Sequence, residues 1–360
     1  MTQRERQVLQ LIEKNPLISQ QEIADALGIT RSSAAVHISN LSRKGLIAGR
    51  GYVLRSGSYA VVVGGVNVDI GGRSFEPLVA ADSNPGRVTM SFGGVGRNIA
   101  HNLSLLGTDV RLLTAYGDDA YGAQVAASCS ELGIDLSHAL RTSEAPTSTY
   151  VYLADNLGEM ALAVSDMSVC ERITPAYLAS QLPLLQNAQV VVADTNAPKE
   201  SLEFLAQNCN VPLFVDPVST AKAEKIRDIL PKIHTLKPNA LEAALLTGVE
   251  IHNTEDAKKA AKKLLSMGVH RVFISMGSSG VCAARGEECV VLPPVHGNRI
   301  NTTGCGDAFM AALTWAYLEG MDLEHTALAG LAAGSIAMES SETINPALCA
   351  AAVKKRMEQR

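Results

Sequence analysis

The stretch Asn301-Thr302-Thr303-Gly304-Cys305-Gly306-Asp307 puts a carboxylate directly behind a glycine-rich turn, and an apolar run from Ala308 to Tyr317 follows it. N–H groups at a helix start point outward with the positive end of the helix dipole, so such a turn can cradle a phosphate. Glycines allow the close approach and the unusual dihedrals this needs. The amides of Gly304, Cys305 and Gly306 are the candidate anion hole. Asp307, at its edge, can take a proton from an attacking hydroxyl while the amides hold a transferring phosphoryl group. A plain Gly-containing helix cap with Asp in its first turn would use the same residue types.

Four further spots carry polar groups of the same kind. Gly65-Val66-Asn67-Val68-Asp69 follows an apolar run and offers Asn67 and Asp69 to hydroxyls, although Asn-x-Asp there is also ordinary turn chemistry. In Gly93-Gly94-Val95-Gly96-Arg97-Asn98 the paired glycines let backbone meet a ligand, and Asn98 supplies a donor and an acceptor. In Lys237-Pro238-Asn239-Ala240-Leu241-Glu242, Asn239 and Glu242 fall on one face of a helix start. They can hold waters of a Mg²⁺ ion, or simply cap the helix. Gly277 and Gly280 lie in Ser275-Met276-Gly277-Ser278-Ser279-Gly280, a loop or plain hairpin turn.

These groups need a scaffold, and the pattern supplies one. Apolar strand-like runs recur at 58–65, 110–115, 190–193, 213–215 and 272–275, and helical stretches at 98–106, 119–132, 199–207, 239–246 and 255–267 lie between most of them. That rhythm predicts an α/β fold with a mainly parallel sheet and helices on both faces. Ligands of such sheets sit at the carboxyl ends of strands, which is where Asn196 falls after the 190–193 run. Alternating segments at 87–92 and 147–164 break the rhythm. They predict a small β lid, from about 73–92 and 145–165, that doubles as a dimer surface.

The first 55 residues differ from the rest. They carry a net charge of +4, whereas the remaining residues carry −9. A basic module joined to an acidic one implies two kinds of partner. Val8, Leu11 and Ile12 share a helical face, Ser19 and Glu22 form a capping box, and Thr30 caps a third helix reaching about Lys44. Outward residues Arg31, Ser32, Ser33, His37 and Arg43 can reach phosphates or base edges. Leu46 to Leu54 predicts a hairpin with Arg50 at its tip. This segment, 1–55, resembles winged helix-turn-helix domains of bacterial transcription regulators, which implies a duplex DNA partner and a two-fold dimer.

Composition excludes several classes. Hydrophobic residues make up 47% and charged residues 19%, the balance of a globular protein rather than a disordered one. No apolar run is long enough to span a bilayer, and the N-terminus lacks a signal-peptide core, so no membrane partner is expected. Seven scattered cysteines without a CxxC pair argue against a disulfide framework or structural zinc and for a reducing cytoplasm.

Together the motifs over about 58–350 resemble, in order and spacing, the ribokinase-like (PfkB) family of carbohydrate and nucleoside kinases. The late signature, usually D-T-x-G-A-G-D, has Asn301 in place of its first Asp and Cys305 in place of Ala. The resemblance implies a ribokinase-like three-layer sandwich over 58–360, preceded by the all-α winged helix-turn-helix. It implies ATP and Mg²⁺ as cofactors, with Asp307 as catalytic base. Asn67, Asp69, Gly93, Gly94, Asn98 and Asn196 would bind substrate, and Ser275, Gly277, Gly280 and Asn345 would bind ATP. Asn239 and Glu242 would hold Mg²⁺ through water. In ribokinase-type members the first Asp of the signature helps place a monovalent cation, so Asn301 puts such activation in doubt. The run G-G-V-G-R-N-I-A, together with Ala163–Met167 and Val215–Ser219, resembles bacterial pseudouridine kinases. Other nucleosides (inosine, guanosine, cytidine or uridine) and ribose remain alternative acceptors, and a ligand-sensing transcription regulator is the alternative to an enzyme.

Overall fold

The computed structural model describes residues 2–16, 18–47 and 58–359. Two compact units divide the chain, Met1–Ser58 and Tyr59–Arg360.

In the first unit, helices α1 (Gln3–Lys14), α2 (Gln20–Leu27) and α3 (Arg31–Arg43) pack around Val8, Ile12, Ile23, Ala34, Ile38 and Leu41. Each start is set by sequence: Thr2 with Glu5, and Ser19 with Glu22, form reciprocal capping boxes, and Thr30 Oγ1 accepts from the Ser33 amide. Lys44 Nζ lies 2.7 Å from buried Glu5, tying the start of α1 to the end of α3. The predicted wing lies outside the described residues from Ala48 onward, and Arg50 with it.

Among the described residues the second unit is built on fifteen strands. They are β1 (Tyr59–Val63), β2 (Asn67–Ser74), β3 (Gly86–Gly93), β4 (Asp109–Leu113) and β5 (Ala115–Gly117). Next come β6 (Ile134–Asp135), β7 (Leu140–Thr142), β8 (Thr149–Ala154), β9 (Met160–Asp166) and β10 (Val190–Asp194). Then follow β11 (Leu213–Asp216), β12 (Thr235–Leu236), β13 (Arg271–Ser275), β14 (Val281–Arg285) and β15 (Glu288–Leu292). Nine form one sheet in the order β15-β14-β13-β12-β11-β10-β1-β4-β6. From β6 to β13 every pairing is parallel, and β13-β14-β15 is an antiparallel edge. The central strands β1 and β10 are buried at every residue, as continuous Val-rich runs covered on both faces require. One core lies on each face of this sheet, giving the three layers of a ribokinase-like sandwich.

A second sheet, β3-β2-β8-β9, forms the lid. It begins earlier than the expected residue 73, because Asn67 to Ser74 is a full strand, paired to β3 on one side and β8 on the other. Gly71 and Gly72 disguise it as a loop. A Cβ on Gly71 would stand 2.4 Å from the ring of Tyr152 on β8, so that glycine serves cross-strand packing rather than a turn. Asn67 and Asp69 therefore sit on the lid's own central strand.

Candidate active site

Asp307 lies in the first turn of the helix Cys305–Leu318, whose N-cap is Gly304. Gly304 has φ +81°, and a Cβ there would fall 2.1 Å from the Thr343 carbonyl, so only glycine fits. The first-turn amides have no partner within the helix. That of Cys305 reaches back weakly to the Thr302 carbonyl at 3.4 Å. Asn98 Nδ2 donates to Asp307 Oδ2 at 2.8 Å, while Asn98 Oδ1 is buried without a partner. A hydroxyl placed between the two residues would satisfy that oxygen. Asp307 is half-buried. Burial, then the negative charge of Asp216, push its pKa up to about 7, against the pull of Asn98 and Lys237. A carboxylate tuned there is well matched to general-base work near neutral pH.

Beneath Asp307 lies a set of buried charges. Lys237 Nζ is 3.0 Å from Asp216 Oδ2, and both side chains are almost wholly enclosed. Burial works against the Lys237 charge, yet Asp216, with Glu242 and Asp307, holds its pKa above the ordinary value. Burial raises the pKa of Glu242 and of Asp194. Asp194 Oδ2 accepts from the Gly65 amide at 3.0 Å, and Oδ1 from the Asn196 amide at 2.8 Å. Asp194, Asp216 and Lys237 all stand at or just beyond the carboxyl ends of adjacent parallel strands β10, β11 and β12. Sequence reasoning missed all three as site residues, since each is a single charged residue ending an apolar run.

The expected substrate residues converge. Asn67 Nδ2 donates to Asp69 Oδ1 at 2.6 Å. A Cβ on Gly93 would lie 2.2 Å from Asp69 Oδ2, and one on Gly65 3.2 Å from Asn196. Gly94 caps the helix Val95–Leu105 that carries Asn98. Burial raises the pKa of Asp69, opposed by Asn67 and by Arg97. Arg97, from the G-G-V-G-R-N run, is buried beneath the lid and donates to the Phe92 carbonyl and to Ser128 Oγ, both at 3.0 Å. It braces the end of β3 next to Gly93.

A cavity of about 440 Å³ opens on the other side of Gly306. Ser275, Gly277 and Gly280 line it, as do Lys237, Cys305 and Gly306. Val295, Phe309, Leu331 and Met338 add apolar walls that no motif announced. Asn345 is not in the lining. Its amide donates to the Ile336 carbonyl and accepts from the Ala347 amide, so it shapes the loop instead. Asn239 and Glu242 do form a capping box, Asn239 Oδ1 accepting from the Glu242 amide and Glu242 Oε2 from the Asn239 amide. Glu242 is nonetheless buried against Lys237 rather than exposed. Asn301 ties two loops together, its Nδ2 donating to the Ser341 carbonyl and its Oδ1 accepting from the Thr303 amide.

On the first unit, Arg31, Ser32 and Arg43 are exposed on α3 and Ser33 is half-buried. The Ser32 and Ser33 hydroxyls are both bonded to Thr30 Oγ1 at the helix cap. His37 is half-buried on α3, and its Nδ1 is enclosed without a hydrogen-bond partner.

Residues 58–349 match the family model described as pfkB family carbohydrate kinase. The chain belongs to that family. It is an ATP-dependent phosphotransferase that acts on a hydroxyl group, and a winged helix-turn-helix DNA-binding unit precedes it, residues 1–48 matching that family model. The kinase is 40% identical over 353 residues to an Escherichia coli protein named "Uncharacterized sugar kinase YeiI", covering 97% of each chain. It is 41% identical over 307 residues to the pseudouridine kinase of E. coli, covering 85% of this chain and 98% of that one. A putative sugar kinase from Clostridium perfringens superposes with a TM-score of 0.76 at 31% identity, covering 84% of the kinase and 96% of the other chain. Among the described residues of the kinase, no helix is long and apolar enough to cross a membrane.

Proposed function

We propose that the chain transfers the γ-phosphoryl group of ATP to the 5′-hydroxyl of a nucleoside, with pseudouridine as the favoured acceptor. The observation that carries the proposal is the Asn98–Asp307 pair, a base tuned near neutrality at the anion-binding start of a helix. Identity to a pseudouridine kinase across its kinase unit supports the choice of nucleoside.

The substrate ribose lies against Asn67, Asp69, Gly93, Gly94 and Asn98. ATP occupies the cavity along Ser275, Gly277 and Gly280, its ring between the apolar walls and its phosphates toward Lys237 and Gly306. Asp307 takes the proton of the 5′-hydroxyl as the oxygen attacks the γ-phosphorus in line. Amides of Gly304, Cys305 and Gly306, with the Lys237 ammonium, stabilise the charge that develops.

Mg²⁺ is implied by the use of ATP. Among the described residues no group of three or more His, Cys, Asp or Glu side chains could hold a metal ion. The hard oxygen donors near Lys237, Glu242 and Asp216, fit an ion carried mainly by phosphates and water. Glu242, with Asn239 beside it, would hold the ion's waters, and the ion would neutralise phosphate charge.

The lid presents Val88, Met90, Val151, Leu153, Leu162 and Val164 exposed on one face. That face supports a homodimer joined lid to lid. Free cysteines among the described residues suit a reducing cytoplasm. The basic first unit supports a second activity, duplex DNA binding through Arg31, Ser32, Ser33, His37, Arg43 and Arg50, coupled to expression of the kinase's own pathway. Steep salt dependence of DNA retention would support it, and no retention at low salt would remove it.

The test of the kinase reading is ATP-dependent phosphorylation of pseudouridine, uridine, cytidine, inosine, guanosine, adenosine, ribose and fructose. Selective turnover of pseudouridine is expected. Turnover confined to a free sugar would overturn the nucleoside assignment, and ligand binding without turnover would favour a sensor.

A further inference from the structure

Asn196 and Lys222 form a polar pair that the phosphoryl transfer does not use. Lys222 Nζ donates to Asn196 Oδ1. A lysine can only donate, so this bond fixes the amide with its carbonyl toward Lys222 and its NH₂ away from it. Asn196 is buried, and its NH₂ would be 3.3 Å from a Cβ on Gly65. Among the described residues the Lys222 ammonium bonds Asn196 Oδ1 and has no carboxylate at ion-pair distance, so further donors remain.

The backbone that delivers Lys222 is unusual. Val218, a β-branched residue, has φ +63°, a strained conformation that persists only where surroundings enforce it. Here they do. The Val218 amide donates to Asp216 Oδ1 at 2.9 Å, and Thr195 Oγ1 donates to the Pro217 carbonyl. Lys225 Nζ donates to the carbonyls of Thr195 and Ala197, both at 3.0 Å. The loops after β10 and β11 are thus locked together, and Lys222 follows in the short helix Thr220–Ala223.

The position is informative. Through Asn196, Lys222 stands next to Gly65, just beyond the carboxyl end of β1 and two residues before Asn67, the first residue of the lid strand β2. None of these residues lines the nucleotide cavity.

We propose that Lys222, held by Asn196, recognises the base of the nucleoside by donating to a carbonyl oxygen of its pyrimidine ring. This rests on the nucleoside reading above. A donor-only ammonium complements an acceptor-only carbonyl. Where that carbonyl is the one that cytosine replaces with an amino group, donor would meet donor and both would stay unpaired, which selects against cytidine.

The experiment uses the full chain and Lys222→Met, with Lys222→Arg as the conservative partner. KM for pseudouridine, KM for ATP and the inhibition constant of ribose are measured for each. Lys222→Met is expected to raise the pseudouridine KM about tenfold or more. The ATP and ribose constants should move less than about twofold, and Lys222→Arg should recover part of the loss. An unchanged pseudouridine KM in an otherwise active Lys222→Met enzyme would overturn this inference alone. A parallel rise in all three constants would overturn it too, as the mark of a purely structural residue. A wild-type enzyme that phosphorylates no nucleoside would remove the nucleoside reading and this inference with it.

Discussion

The two ends of the site are made of different material. The sugar end is built from side chains, with Asn67, Asp69, Asn98 and Asn196 bonded to one another or to buried neighbours before any ligand arrives. The nucleotide end is built from glycine backbone and apolar walls, with Lys237 as its one enclosed lysine. Side chains with fixed donors and acceptors discriminate among hydroxylated substrates, because a mismatched partner leaves a buried polar group unpaired. Backbone amides and flat apolar walls accept any ligand with phosphates and a ring. On the proposed reading, the kinase has its selectivity at one end and a general nucleotide clamp at the other. Asp307 and the first-turn amides stand where the two meet.

That contrast is broken most severely at the junction. Asp307→Asn keeps the shape and the Asn98 neighbour but cannot take a proton. A loss of about 10²–10⁴-fold in kcat is expected, with ATP binding by calorimetry retained. The same variant should melt at a higher temperature near pH 7.5. Burial raises the folded-state pKa of Asp307 to about 7, above its usual value of 3.8. Its contribution to stability is therefore present below the usual value and lost as pH rises through about 7, and an amide has no such charge to bury.

Lys237→Met comes next, with an expected fall of about 10²–10³-fold in kcat, the scale for removing one stabilising donor. It carries a second signature. Asp307 must be ionised to act, so kcat/KM falls as pH drops through its pKa. Removing the Lys237 charge makes ionisation harder and shifts that acid limb to higher pH. Asp216→Asn removes a negative charge and shifts it to lower pH. Identical profiles in both variants would deny that these groups tune the base.

The smallest effect belongs to the nucleotide walls. Leu331→Ala trims one half-buried apolar side chain of the cavity. A rise of about three- to tenfold in the ATP KM is expected, from the area removed, with the nucleoside KM steady. A larger change in the nucleoside KM would erase the distinction between the two ends.

What the sequence disclosed follows the same division. Gly304, Cys305, Gly306 and Asp307 were legible because a turn and a helix start are contiguous, and so were Ser275, Gly277 and Gly280. The alternation of apolar runs and helices gave the layered sheet. Asp194, Asp216 and Lys237 were not legible as a group, since three separated strand ends meet only through parallel pairing. The lid strand Asn67–Ser74 was hidden by Gly71 and Gly72, which make room for Tyr152 and Leu153 of β8 rather than form a turn. Asn345 looked like a ligand residue, and its loop consumes both ends of its amide.

The most direct measurement follows phosphate from γ-labelled ATP onto pseudouridine, in wild-type enzyme and in Asp307→Asn, and locates it on the product by mass spectrometry. Pseudouridine 5′-phosphate in the wild type, with little or none in Asp307→Asn, is the predicted result. Near-normal product from Asp307→Asn, or phosphate on any other hydroxyl, would contradict it.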